Sequence, residues 1–161
     1  MNHVLENSLI VAVLLAVILI PVSLVIINSR KAKKKRISEE LIKAEKELMV
    51  NFHHIDHLDS TIIAIDQNKK VIIQMDLENY STCLIDLKNV VSCNVEEKKN
   101  GKETLLLYLV LRYNNQQVPR SVVLYKQYID KELHLKNLRK IASQWEAMIN
   151  RTISAPAELI Q

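Results

Sequence analysis

Residues 61–76 read TIIAIDQNKKVIIQMD. TIIAID and VIIQMD are short β-branched runs, and the polar QNKK between them completes the pattern of a β-hairpin. Downstream, the runs STCLID, VVSCNVEE, KETLLLYLVLRY and VPRSVVLY follow in close succession. The segment KKNG, residues 98–101, joins the fourth run to the fifth, and Asn100 followed by Gly101 is a strong turn signal. Short strands with tight turns predict an antiparallel meander or small barrel. NNQQVP reads as a loop, with Pro119 starting the last strand near Arg120 or setting it at an edge.

The period then changes from two to about 3.6. Over residues 130–150, Leu135, Leu138, Ala142, Trp145 and Ile149 keep 3-4-3-4 spacing, and Ile141 and Met148 widen that stripe. The pattern predicts an amphipathic helix laid across the sheet or capping one end of the barrel. Trp145, in the middle of the stripe, reads as a core anchor. The patternless tail from Thr152, with Pro156, is expected to be disordered.

Upstream, residues 9–27 read LIVAVLLAVILIPVSLVII, with no charge and only Ser23 as a polar side chain. As a helix this run spans roughly 29 Å, matching a hydrocarbon core of about 30 Å. Pro21 is tolerable in such a helix. The n-region MNHVLENS lacks the basic residues of a signal peptide, and no small-residue cleavage pattern follows the run. Arg30, Lys31, Lys33, Lys34, Lys35 and Arg36 come next. By the positive-inside rule this cluster sets the C-terminal side in the cytoplasm, with its charges near anionic headgroups. Lacking eukaryotic sorting motifs, the chain is assigned to a bacterial inner membrane.

Between these parts, residues 37–50 read as a helical connector with Ser38 as N-cap, and Ile37, Leu41, Ala44 and Leu48 as a narrow apolar stripe. That stripe could pack within the chain or against a second copy, so a homo-oligomer is open. His53, His54 and His57 follow. On a continuing helix His53 and His57 would share a face and could hold a metal. No distant Cys or His completes a set, so no metal site is assigned. Cys83 and Cys93, ten apart, are expected to be reduced and buried.

Much chemistry is excluded by composition. The chain has one glycine, Gly101, against a usual share of about 7%, and contains neither G-x-G-x-x-G nor a Walker A pattern, so those nucleotide-binding routes are set aside. The net charge of +4 resides in the cluster at 30–36. From Ser60 onward the charges nearly balance, which disfavours nucleic acid as a partner. No acid–base pair or G-x-S-x-G elbow is present. No cofactor, catalytic residue or enzymatic activity is assigned.

Five or six antiparallel strands followed by one amphipathic helix carrying a Trp resemble a pleckstrin-homology-like domain over roughly residues 60–150. TIIAIDQNKKVIIQM and YSTCLIDLKNVVSCNVEE, leading into residues 87–91, are similar to small bacterial members of that group. The resemblance implies a binding module for lipids, peptides or proteins. It maps the headgroup-reading β1–β2 loop onto QNKK, where Lys69 and Lys70 stand without an arginine. The resulting expectation is an α+β chain in four parts: a short N-terminus and transmembrane helix (1–28), a basic juxtamembrane segment and connector (29–59), a β-rich domain with its helix (60–151), and a tail (152–161). Its expected function is that of a membrane-anchored, non-enzymatic interaction module with a protein or lipid partner. The alternative is a structural subunit of a larger membrane complex, with Pro21 and Ser23 at a helix–helix contact.

Overall fold

In the computed structural model the described residues are 2–114 and 118–155, with side chains described from Val17 onward except that of Arg30. The chain divides into two units, Met1–Glu47 and Leu48–Gln161.

The first unit is a single helix, α1 (Asn2–Leu48), with Pro21 inside it. The expected break before a connector capped at Ser38 is absent. Lys and Glu make up half of residues 29–48 and the segment contains no helix breaker, so the helix continues without a fresh start. Glu39 pairs back to Lys35 (3.8 Å) and Lys43 forward to Glu47 (3.9 Å); both pairs are exposed and each contributes at most about 0.5 kcal/mol. Ile37, Leu41 and Ala44 of the predicted stripe are buried, whereas Leu48 is exposed. Among the described residues no helix is long and apolar enough to cross a membrane. The side chains of residues 9–16 lie outside the description, and the remaining 17–27 rise only about 17 Å as a helix, short of a bilayer core of about 30 Å.

The second unit is α+β. Its strands are β1 (His54–His57), β2 (Thr61–Asp66), β3 (Val71–Asp76), β4 (Thr82–Asp86), β5 (Val90–Asn100), β6 (Glu103–Tyr113) and β7 (Arg120–Lys126). They form a four-stranded sheet β1-β2-β3-β4 and a three-stranded sheet β5-β6-β7, with antiparallel pairing throughout. One 3-10 turn (Glu132–His134) leads into α2 (Leu135–Ser154). The six predicted strands correspond to β2–β7, and β1 is additional.

Residues 53–59 therefore form a strand and its flanks, not the end of a helix, and the helical face that would have joined His53 to His57 does not exist. Met49, with φ of 52°, lies at the turn out of α1. The Asn100–Gly101 turn is displaced by one residue. Asn100 pairs with Glu103, so the two-residue turn is Gly101 and Lys102. Gly101 has φ of 60° and Lys102 does not share the left-handed region, which places the glycine first, as a type II′ turn demands.

The core lies between the two sheets and α2. Ile63, Ile65, Ile72 and Ile85 from the first sheet meet Leu107, Leu109, Leu111, Val122 and Leu124 from the second, under Leu138, Ala142, Trp145 and Ile149 of α2. The helical stripe is thus the one the 3-4-3-4 spacing predicts, with Ile141 and Met148 at its margins. Its end differs. α2 continues to Ser154, and Thr152 is buried with its hydroxyl donating to the Met148 carbonyl at 2.9 Å. The expected tail boundary moves accordingly, and residues 156–161 lie outside the described residues.

Candidate functional site

Polar side chains gather where α2 and its lead-in meet the strands. On β1, Asp56 Oδ2 accepts the Trp145 indole N–H at 2.7 Å and lies 3.1 Å from His54 Nε2. The His54 and Trp145 rings are tilted at 58° with centroids 5.3 Å apart. A fully buried tryptophan needs a partner for its N–H, and Asp56 is that partner. Beside this, the Asp59 carboxylate holds the 3-10 turn, accepting the Lys131 backbone N–H at 3.1 Å and facing His134 Nδ1 at 2.9 Å.

Farther along α2, Arg139 grips Glu97 of β5 in bidentate fashion, Nε to Oε1 at 2.7 Å and Nη2 to Oε2 at 3.1 Å, and also donates to Thr104 Oγ1. Lys99 adds a contact at 3.2 Å. The Arg139 hydrogen bonds hold the Glu97 carboxyl down at about 2, below its ordinary 4.5. A depressed carboxylate contributes stability above its unfolded pKa and loses it as pH falls through the folded one. The urea midpoint of the chain is therefore expected to fall between about pH 4.5 and 2, and Glu97→Gln should flatten that part of the profile.

The same helix closes an open sheet edge. Among the described residues β5 pairs only with β6, so its other edge would present free backbone groups. Asn150 supplies both partners at Cys93: Oδ1 accepts the Cys93 N–H at 2.9 Å, and Nδ2 donates to the Cys93 carbonyl at 2.8 Å. Glu146 Oε1 accepts the Val95 N–H at 3.4 Å. The groove beside the C-terminal helix, one of the places where an added strand could dock, is thus filled at these positions by the protein's own side chains. The edge near Pro119 is partly engaged as well, because Arg120 Nη1 reaches the Leu84 carbonyl and Gln74 Nε2 the Val123 carbonyl.

The two lysines of QNKK are also committed. Once β1 is counted, this turn joins β2 to β3, and the β1–β2 connection is residues 58–60, which carries Asp59. Lys69 Nζ donates to the Met49 carbonyl. Lys70 Nζ donates to the Ala155 carbonyl at 2.7 Å and lies 3.4 Å from that of Ile153, capping the negative end of α2. Ammonium groups bound to carbonyls of their own fold are poorly placed to grip a headgroup.

The cysteines part company. Cys93 is buried, as expected, but Cys83 is exposed, because β4 is an edge strand whose Thr82, Cys83 and Leu84 all face solvent. Burial, with a smaller push from the Glu146 charge, raises the Cys93 thiol to about 12. A disulfide-exchange reagent should titrate one thiol in the folded chain and two after denaturation; two fast equivalents in the folded state would contradict this packing.

Compared with family models, with curated proteins and with solved structures, the chain matches none. Among the described residues no group of three or more His, Cys, Asp or Glu is placed to hold a metal. Among the described residues three His–carboxylate pairs occur, His53–Asp66 (3.9 Å), His54–Asp56 (3.1 Å) and His134–Asp59 (2.9 Å), and none is hydrogen-bonded to a Ser, Thr or Cys side chain. Their carboxylates accept from the Asn51 and Lys69 backbone, from Trp145 and from the Lys131 backbone respectively. Of the predicted basic cluster, Lys31, Lys33, Lys34, Lys35 and Arg36 are exposed on α1, and the Arg30 side chain lies outside the description. Sequence reasoning missed the β1 strand and the partners it gives α2. The signal available for β1 was slight: one Ile among polar neighbours, and a buried Trp in need of an acceptor.

Proposed function

We propose that the chain is a single-pass membrane-anchored interaction module: α1 inserts in the bilayer and the second unit binds a partner at the membrane surface without catalysing a reaction. One observation carries the anchoring. Val17, Ile18, Leu19, Ile20, Val22, Leu24, Val25, Ile26 and Ile27 are all between 45% and 68% exposed, all round one helix, with no polar face opposite. Apolar surface of that extent needs a cover, and an all-round apolar helix followed by a basic cluster suits lipid. The run continues upstream through residues 9–16 without a charge.

For the second unit, a four-stranded and then a three-stranded antiparallel sheet closed by one C-terminal helix supports the resemblance to pleckstrin-homology-like domains, and with it a binding role. The committed lysines of the β2–β3 turn favour a protein partner over a specific lipid headgroup. Tethering would let modest contacts suffice, by raising the effective concentration of anything on the same membrane.

The anchor is tested by alkaline extraction of membranes. The full chain should stay in the pellet and a chain lacking residues 1–36 should be released; recovery of the full chain in the supernatant would refute the anchor. The partner is tested by mild-detergent purification through a C-terminal tag. A stoichiometric companion that survives deletion of 1–36 supports the module, and elution of the chain alone counts against it.

A further inference from the structure

Among the described residues four strands end the two sheets, β1 and β4 in one and β5 and β7 in the other, and three of these edges are guarded. Asn150 and Glu146 cover β5. β7 follows Pro119 and ends on Lys126. It is broken by a bulge at Leu124, the residue left out between the partners of Leu107 and Tyr108, and its Val123 carbonyl is taken by Gln74. β1 is four residues, three of them His or Asp. Proline, lysine, bulges, charge and covering elements keep a strand edge from pairing. β4, with sequence TCLID, has no Pro, Lys or bulge, and its register with β3 is unbroken. Its one charge, Asp86, lies at its end.

The phase of the β3–β4 ladder shows what this edge offers. The Leu87 N–H donates to the Lys70 carbonyl at 2.8 Å and the Asp76 N–H to the Ser81 carbonyl at 3.0 Å. Hydrogen-bonded positions alternate along an antiparallel pair. Ser81, Cys83, Ile85 and Leu87 therefore bond toward β3, and the N–H and C=O groups of Thr82, Leu84 and Asp86 point outward. Of these, only the Leu84 carbonyl has a partner among the described residues, the Arg120 guanidinium at 3.4 Å, and a carbonyl keeps a second lone pair.

The edge is complementary to itself. About a twofold axis at Leu84, antiparallel pairing of two β4 strands sets Leu84 against Leu84, Thr82 against Asp86 and Cys83 against Ile85. Every outward backbone group then finds a partner. Leu84, 39% exposed, gains an apolar neighbour, and the Thr82 hydroxyl faces a carboxylate. The two Asp86 residues stand four positions apart along the pair, roughly 13 Å, beyond a Debye length of about 10 Å. Arg120 and Asp86 both lie near the Tyr113 hydroxyl and oppose each other in charge, so these two groups give the edge no net charge to repel its copy. A twofold contact of this kind uses up both edges and closes on itself.

We propose that the β4 edge is a dimer interface, at which β4 pairs antiparallel with β4 of a second copy of this chain and joins the two four-stranded sheets into one. The inference stands whether or not α1 inserts in a bilayer.

The test uses the full chain in mild detergent and its native thiols. In this register the two Cys83 residues are diagonal neighbours about 7–8 Å apart, so a short bismaleimide should join two chains. Cys93 is buried and gives no bridge, and Cys83→Ser should abolish it. Leu84→Lys sets two ammonium groups face to face at the axis and should lose the bridge, with an unchanged far-ultraviolet circular dichroism spectrum. Thr82→Lys faces Asp86 of the copy and should keep it, which a pairing without fixed register would not allow. No bridge in the wild-type chain overturns the proposal, as does a bridge that Leu84→Lys leaves undiminished. Bridged chains that sediment as a ladder of higher oligomers would refute the closed twofold. A wild-type chain without the bridge, bound to another protein that Leu84→Lys releases, would reassign the edge to a foreign strand.

Discussion

Trp145→Ala is expected to lower the stability of the second unit by about 3–5 kcal/mol, the usual cost of removing a large aromatic side chain from a core. The site leaves little room for relaxation. Trp145 is fully buried among residues from both sheets, and its loss also leaves Asp56 Oδ2 without its 2.7 Å donor. A domain of this size has a total stability of about 5–15 kcal/mol, so the variant should melt far earlier and be degraded in cells. Thermal melts of the full chain, followed by far-ultraviolet circular dichroism, measure the loss. Trp145→Phe separates the two contributions. It keeps a buried ring but loses the N–H and three ring atoms, so it should cost about 1–3 kcal/mol for the orphaned acceptor plus a cavity contribution smaller than that of alanine. An alanine variant as stable as the phenylalanine one would show that packing at this site contributes little, contrary to this account.

The second large effect is expected at Asn150. Its side chain stands in for one residue of a neighbouring strand, meeting the Cys93 N–H and C=O at 2.9 and 2.8 Å. Asn150→Ala orphans both, at about 1–3 kcal/mol for each group left buried and unpaired. It also reopens the β5 edge, and an uncovered edge invites pairing with another chain. The variant should therefore melt earlier and self-associate, and its Cys93 thiol should react faster. Asn150→Asp is more informative still. It keeps an acceptor for the N–H but sets a carboxylate against the carbonyl oxygen, so at neutral pH it should be no milder than alanine. A wild-type melting point for either variant, with the second thiol still protected, would mean that the edge does not depend on Asn150.

Much of this architecture is legible along the chain. Six of the seven strands follow from β-branched runs and turn residues, because neighbouring residues set the local backbone preference. The α2 stripe follows from spacing alone, since a helix repeats every 3.6 residues whatever it packs on. The charge-free run at residues 9–27 and the basic cluster after it are properties of the sequence as such.

Other features needed the fold. β1 has a single apolar Ile in four residues and no strand signal of its own. It is a strand because β2 offers it a pairing edge and Trp145 needs an acceptor from it. That Lys69 and Lys70 serve carbonyls, that Glu97 pairs with Arg139, and that Asn150 stands in for a strand partner all join residues far apart in sequence, and no local pattern encodes such distances. The opposite fates of Cys83 and Cys93 have the same origin. Both lie in strand-like runs, but only the order of strands in the sheets decides that β4 ends at solvent while Cys93 of β5 lies beneath α2.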